Sequence, residues 1–410
     1  MTARNYLFLQ GVCSPFFARL GQALRQQGHA VRKVNFTVGD RIYWGQGNAV
    51  SYRGPMHALP QFYADEYARH GTTDIVLFGD CRPVHQPAIA LARQLGLHVH
   101  VFEEGYFRPY WVTLERDGVN GNSRLSRDPA WYREQARALP AYGNGEPFAA
   151  PFWRRAAYDV GYNFWAGLNP MLHRGVSSHV PYNPATEYLS YVRRGVRLQA
   201  RARGDAAVLR RVMAEADKRP FFLFPLQINT DAQVRFHSPF GCVADALRHI
   251  VESFAAHAPQ PCRLLVKAHP LDPGLVNYGK MIAAMSKQLG LADRVFYIEN
   301  GALPPLLDSA RGVVTINSTT GASAILHGCS TIALGKAIYD MPGLTFQDPL
   351  QVFWRERHVP DKKLFSAFRN VVIHHTQLNG GFYSTGGIAL ATHHAVARLT
   401  EPAQQARPVA

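Results

Sequence analysis

The chain has 410 residues, 47% of them hydrophobic, 18% charged and 11% aromatic, which suits two folded domains and excludes wholesale disorder. Forty-four Lys and Arg against 29 Asp and Glu leave a net charge of +15, which points to an anionic partner: nucleic acid, a phospholipid surface or a charged small substrate. No apolar run approaches the roughly 18 residues of a membrane-spanning helix, and the short run 5–9 reads as a buried strand rather than a signal peptide.

In chain order, the apolar run 6–9 is a strand that ends in Gln10 and Gly11. From Pro15, Phe16, Leu20 and Leu24 recur at helical spacing until Gly28, and 30–36 is a second strand, so the chain opens with a β-α-β unit. A strand over 74–78 ends in Gly79 and Asp80; a helix from Pro87 stops at Gly96; 98–102 alternates into Glu103, Glu104 and Gly105. The repeated pattern predicts a parallel sheet with helices on both faces. The stretch 120–184 is rich in Gly, Pro, Arg and aromatics and reads as an insertion with short helices, because linkers do not carry so many aromatic residues. Over 193–211, seven arginines (193, 194, 197, 201, 203, 210, 211) interleave with apolar residues, a pattern expected of a helix lying on anionic lipid. Strands are predicted over 221–226, 263–267, 295–298, 313–316 and 331–334, with helices over 242–256, 278–289, 303–309 and 321–327, and tail helices follow over 362–375 and 387–399.

The fold class is therefore α/β, two Rossmann-like domains facing a cleft. The boundaries fall at 1–215, with the insertion over about 120–215, then 216–380, then a helix and tail over 381–410. Five scattered cysteines (13, 81, 242, 262, 329) without a C-x-x-C pair argue against a disulfide framework or structural zinc, and for a reducing cytoplasm.

Polar residues punctuate the predicted carboxyl ends of the strands, where such sheets bind ligands. Lys267 and His269 lie two apart on an extended chain and can reach one anion, with Pro270 stiffening the turn; the plainer reading is a capped strand end. Asn317, Ser318, Thr319, Thr320 and Gly321 follow a strand and open a helix, either a phosphate cradle or an ordinary N-cap. Glu103 and Glu104 suit a site needing a carboxylate near a reacting carbon or hydroxyl, or form a solvated strand end. Asp80 and Arg82 end the neighbouring strand. Gln227, Arg235 and His237 belong to a polar segment that binds donor or acceptor or is merely a loop. There is no G-x-x-x-x-G-K-[ST] loop, no convincing G-x-G-x-x-G fingerprint and no G-x-S-x-G elbow. The nearest approach to a D-x-D metal clamp is Glu215 and Asp217, in a polar helical stretch, so no metal is expected.

These residues, in this order, resemble the capsule polysaccharide biosynthesis family, specifically its KpsS/LipB-type β-Kdo transferases. The resemblance rests on the strings FLQG (8–11), PFF (15–17), VNF (34–36), GD (39–40), GDCRP (79–83), FEEGY (102–106), RP (108–109) and WVTLE (111–115). It continues through PLQ (225–227), HSPF (237–240), KAHP (267–270) and NSTTG (317–321), so it spans most of the chain. It implies a GT-B-like glycosyltransferase that needs no metal, with CMP-Kdo as donor and a phosphatidylglycerol-type anionic lipid as acceptor, starting the poly-Kdo linker. It also implies a place in the cytoplasm, peripheral on the inner membrane of a Gram-negative bacterium, with other capsule assembly and export proteins as partners and no nucleic acid. By that resemblance Glu104 and Glu103 are the catalytic candidates. Lys267, His269, Asn317, Ser318, Thr319, Thr320 and Gln227 bind the donor. Gln10, Gly11, Asp80, Arg82, Arg108, Arg235 and His237 line the substrate site. CMP-Kdo is β-configured, so a β-linked product means retention, and double displacement needs a nucleophilic carboxylate; deprotonation of the acceptor is the other role open to Glu104. The alternatives are another nucleotide-sugar enzyme on the same frame, epimerase or sialyltransferase-like, and a non-catalytic polyanion-binding protein.

Overall fold

A computed structural model of the chain describes residues 3–45, 47–169, 184–229 and 231–401. Its strands are β1 (Asn5–Phe8), β2 (Ala30–Asn35), β3 (Ala49–Ser51), β4 (Asp74–Phe78), β5 (His98–Glu104), β6 (Trp111–Arg116), β7 (Phe221–Pro225), β8 (Arg263–Lys267), β9 (Val295–Ile298), β10 (Gly312–Thr315), β11 (Thr331–Ala333) and β12 (Gln377–Asn379). They form two sheets, one in each of two compact units. The first unit comprises Met1–Leu125, Leu139–His179 and Asn370–Ala410; the second comprises Ser126–Ala138 and Val180–Arg369.

In the first unit the sheet order is β12-β6-β5-β4-β1-β2-β3. Strands β1 to β5 pair in parallel, as the β-α-β reading predicts. Side chains alternate across the sheet. Tyr6 and Phe8 pack with Phe16, Leu20 and Leu24 on one face, whereas Leu7 and Leu9 pack with Leu59 and Tyr63 on the other. The sheet is mixed rather than wholly parallel: β6 pairs antiparallel with β5, and β12 antiparallel with β6. Neither strand is evident in the sequence, because β6 reaches β5 across a short connection and β12 finds its partner some 260 residues away in the chain.

The second unit has a five-stranded parallel sheet, order β11-β10-β7-β8-β9. Its strands are mostly apolar, with Arg263 and Lys267 at the two ends of β8, as expected of a sheet covered on both faces. Phe222, Phe224, Leu264 and Val266 face one core, and Phe221, Leu223, Leu265 and Val313 the other.

The division of the chain differs from the sequence-based one, which put a boundary at 215/216 and set 381–410 apart. The 31-residue helix Pro184–Ala214 belongs with the second sheet, where Val212 is fully buried in the core. The tail belongs with the first: after β12, Ala391, Ala395 and Leu399 of the helix Thr385–Thr400 pack against Phe16, Leu20 and Leu24. Burial of apolar surface, not position in the chain, sets both memberships.

The arginine-rich helix, expected to dock on lipid, also makes contacts within its own unit. Arg194 reaches the His269 carbonyl, Arg197 and Arg201 pair with Glu299, and Arg211 pairs with Asp293. Arg201 and Arg211 lie over the rings of Tyr297 and Phe296. Four of the seven arginines thus contact their own unit, although Arg201 and Arg211 are exposed, as are Arg193, Arg203 and Arg210. Among the described residues, no helix is long and apolar enough to cross a membrane.

Candidate active site

In the first unit the site is built from the carboxyl ends of β1, β4 and β5. Glu103 and Glu104 are the last residues of β5, held in register opposite Thr113 and Val112 of β6. Successive strand residues point to opposite faces, so the two carboxylates diverge. Glu104 shares the face of Phe102, and Glu103 that of Val101. The Tyr383 hydroxyl donates to Glu104 Oε1 at 3.2 Å, and Arg155 lies 3.5 Å from the same oxygen, stacked 4.7 Å over the Tyr383 ring. Burial, with Glu104 adding, pushes the Tyr383 phenol well above its ordinary range, so it stays a proton donor. Glu103 Oε1 accepts the Glu104 backbone N–H at 2.9 Å. Gly105 follows because nothing larger fits: a Cβ there would sit 2.0 Å from the Trp111 carbonyl oxygen.

The neighbouring strand ends form a second cluster. Gln10 is buried and donates to Asp40 (3.3 Å), which also accepts from the Tyr162 hydroxyl (3.1 Å) and the Phe36 and Thr37 backbone N–H groups. Arg82 donates to the Gly11 carbonyl at 3.0 Å. Gly79 adopts φ +70°, and a Cβ on it would approach Glu103 Oε2 at 3.5 Å and Arg82 Nε at 3.9 Å, which puts Arg82 and Glu103 beside the same turn. Asp80 has a folding role: buried, it accepts from Val119 N–H and Asn122 Nδ2 and so fixes the turn after β6. Arg108 is exposed beyond β5.

In the second unit the ends of β7 and β10 are braced by a reciprocal pair. Gln227 donates to Asn317 Oδ1 (3.0 Å), and Asn317 N–H donates to Gln227 Oε1 (3.2 Å). Asn317 Nδ2 also reaches the Gln233 and His237 carbonyls. Ser318 caps the helix Thr319–Leu326, its side chain accepting from Thr320 N–H at 3.2 Å; Thr319 is exposed at the first turn. The N-cap reading of this motif is realised at Ser318, and the first turn of the helix still presents its dipole's positive end. Arg235 is exposed and lies over Phe236, while His237 is buried.

The end of β8 is different in character. Lys267 is 6% exposed, and its one hydrogen bond among the described residues is a long one, 3.4 Å, to the Ala268 carbonyl. Burial, with Arg194 adding, lowers its pKa from the ordinary lysine value. His269 Nδ1 accepts Leu271 N–H at 3.0 Å, so a neutral ring carries its proton on Nε2. Arg194 is 4% exposed and donates through Nη2 to the His269 carbonyl (2.7 Å), while its Nε and Nη1 are buried without a hydrogen-bond partner among the described residues. Nearby, Asp272 accepts from Gly274 N–H; burial raises its pKa, while Arg194 and Arg197 are close enough to pull it down. Two buried cations with spare donors at one strand end have the chemistry to hold an anion, because unsatisfied buried donors are rare and costly. Sequence reading grouped Arg194 with a lipid-facing stripe and did not single out Arg155 or Tyr383. A stretch of arginines carries no signal of which one turns inward.

Two Rossmann-like units, one ending in carboxylates and one in cations, define an α/β protein of the GT-B-like class. The model of capsule polysaccharide biosynthesis proteins matches residues 73–383, which is most of the chain. KpsS of Escherichia coli, a capsule polysaccharide export protein, is 35% identical over 388 residues, covering 93% of this chain and 98% of KpsS. LipB of Neisseria meningitidis serogroup B, a capsule polysaccharide modification protein, is 37% identical over 391 residues, covering 93% and 92%. The chain belongs to the capsule polysaccharide biosynthesis family. Among solved structures, Thermosulfurimonas dismutans KpsC, a β-Kdo 2,7 transferase, aligns over 97% of this chain and 98% of its own at 12% identity and TM-score 0.46.

Proposed function

We propose that the protein transfers Kdo from CMP-Kdo to a phosphatidylglycerol-type lipid at a membrane surface, with retention of configuration. The observation that carries this reading is the buried pair Lys267 and Arg194 at the end of β8, which offers cationic donors to a single phosphate without a metal. His269 Nε2–H and the helix start at Ser318, Thr319 and Thr320 supply further donors to the same kind of group. Together they would take up the charge that develops as the bond from the anomeric carbon to the phosphate oxygen breaks and CMP departs.

Glu104 serves the anomeric carbon. In double displacement its carboxylate attacks as CMP leaves. The acceptor hydroxyl then displaces the carboxylate while its proton passes to a base. Glu103, on the opposite face of β5, is less suited to share one carbon with Glu104. Tyr383 and Arg155 hold Glu104 Oε1 in a fixed direction. The protein's place would be the cytoplasmic face of the inner membrane, among capsule assembly and export proteins.

The deciding experiment incubates the protein with CMP-Kdo and a fluorescent phosphatidylglycerol analogue and weighs the product. A mass increase of one or more Kdo residues is expected. Stabilisation against heat by UDP but not CMP, with no product, would turn the reading toward a diphosphate-sugar enzyme.

A further inference from the structure

The helix Phe152–Ala166 of the first unit is amphipathic in the wrong sense for a soluble surface. Its inward face is polar and aromatic: Tyr162 is buried and bonds Asp40 and Thr37, the Tyr158 carbonyl accepts from the Tyr43 hydroxyl, and Arg155 reaches Glu104. Its outward face is apolar. Trp153, Val160 and Phe164 are 64%, 48% and 72% exposed, and Leu168, just past the helix, is 41% exposed. Spacings of seven, four and four place them along one side. Phe152 and Trp165 flank the stripe, at 67% and 39% exposure. So much contiguous exposed apolar surface marks an interaction site.

We infer that this stripe is a bilayer-docking face that lays the Phe152–Ala166 helix in the interfacial region of an anionic membrane. Three observations select lipid over protein. Trp and Phe on a helix lying flat are the side chains that partition to the lipid interface. Basic side chains of this region suit anionic headgroups: Arg154 lies 5.3 Å from the Trp153 ring centroid, and Arg41 is exposed on the helix Val38–Trp44, which packs against the inward face of this one. The chain as a whole carries +15. The polar face of the docked helix carries Arg155 to Glu104, so a headgroup at the interface lies about one helix diameter, ~10 Å, from the carboxylate.

The inference deepens the lipid-acceptor reading by assigning the membrane contact to this helix instead of the arginine-rich one, and it rests on that reading for the identity of the acceptor. It is tested by flotation of the full-length protein with vesicles of phosphatidylcholine alone or containing 30% phosphatidylglycerol (about 0.3 mole fraction, enough to attract a basic surface), with no donor present. The wild type should float with the anionic vesicles and keep part of its binding at about 0.5 M salt, where Debye screening removes purely electrostatic adsorption. The double variant Trp153→Gln, Phe164→Gln should lose about tenfold or more in partitioning. Arg203→Gln with Arg210→Gln should lose no more than about threefold. Binding of the double variant equal to wild type, or no wild-type binding, overturns the inference. So does a wild-type dimer that the same double variant dissociates in sedimentation without lipid, since the stripe then joins two copies. Calorimetry with CMP on the same proteins separates the two proposals. CMP affinity retained without vesicle binding sinks only the docking face; vesicle binding without CMP affinity sinks only the donor reading.

Discussion

The strand ends of the two units treat charge in opposite ways. In the first unit the acids are held: Glu104 by Tyr383 and Arg155, Asp40 by four donors, Asp80 by a turn. In the second, two buried cations at the end of β8 are short of acceptors among the described residues, with Lys267 on one long bond and Arg194 with two buried nitrogens unbonded. A satisfied network fixes a geometry, whereas an unsatisfied one stores a preference for a ligand of opposite sign. On the proposed function, the first unit presents a carboxylate in one direction and the second receives an anion.

The contrast is most sharply tested at Glu104. Glu104→Gln is expected to lower transfer by about a thousandfold or more while CMP binding, measured by calorimetry, stays within twofold of wild type (about 0.4 kcal/mol). Full turnover by this variant would remove the first unit's carboxylate from the mechanism.

Arg194 comes next. Arg194→Gln should weaken CMP binding by about 10- to 100-fold and leave cytidine, which lacks the phosphate, unaffected. A purely structural arginine would behave differently: its removal would lower the melting temperature of the free protein. Here Arg194→Leu should leave the free protein's Tm within about 2 °C and abolish stabilisation by CMP. His269→Ala should cost about tenfold in CMP affinity, the loss of one donor, with Tm little changed.

The smallest effect sharpens the comparison from within the first unit, which also buries a cation. Lys33 is 2% exposed, and its one described bond is to the Val34 carbonyl at 2.8 Å. Burial pushes its pKa down to about 8 from 10.5, against the pull of Asp40. The folded state favours the neutral amine, so this group's contribution is greatest above pH 10.5 and falls as pH drops toward 8. The difference is roughly 3 kcal/mol or less, at about 1.36 kcal/mol per pKa unit. Lys33→Met should flatten the stability profile between those pH values and raise stability at neutral pH, read from urea unfolding at several pH values.

The sequence alone determined the α/β class, most of the strands and the position of the polar punctuation, because short apolar runs ended by Gly, Asn or acids are local signals. It placed Glu104, Lys267, His269 and Ser318 at strand ends, where they are found. Tertiary structure decided what local pattern does not encode. Burial on both sides of a sheet decided that β12 and the helix Thr385–Thr400 return to the first unit and that the helix Pro184–Ala214 joins the second. It split Glu103 from Glu104 by the pleat, since opposite faces follow from pairing with β6. It turned Arg194 inward and left Phe164 outward, because which side of a helix meets a core depends on what packs against it, and that neighbour lies far away in the chain.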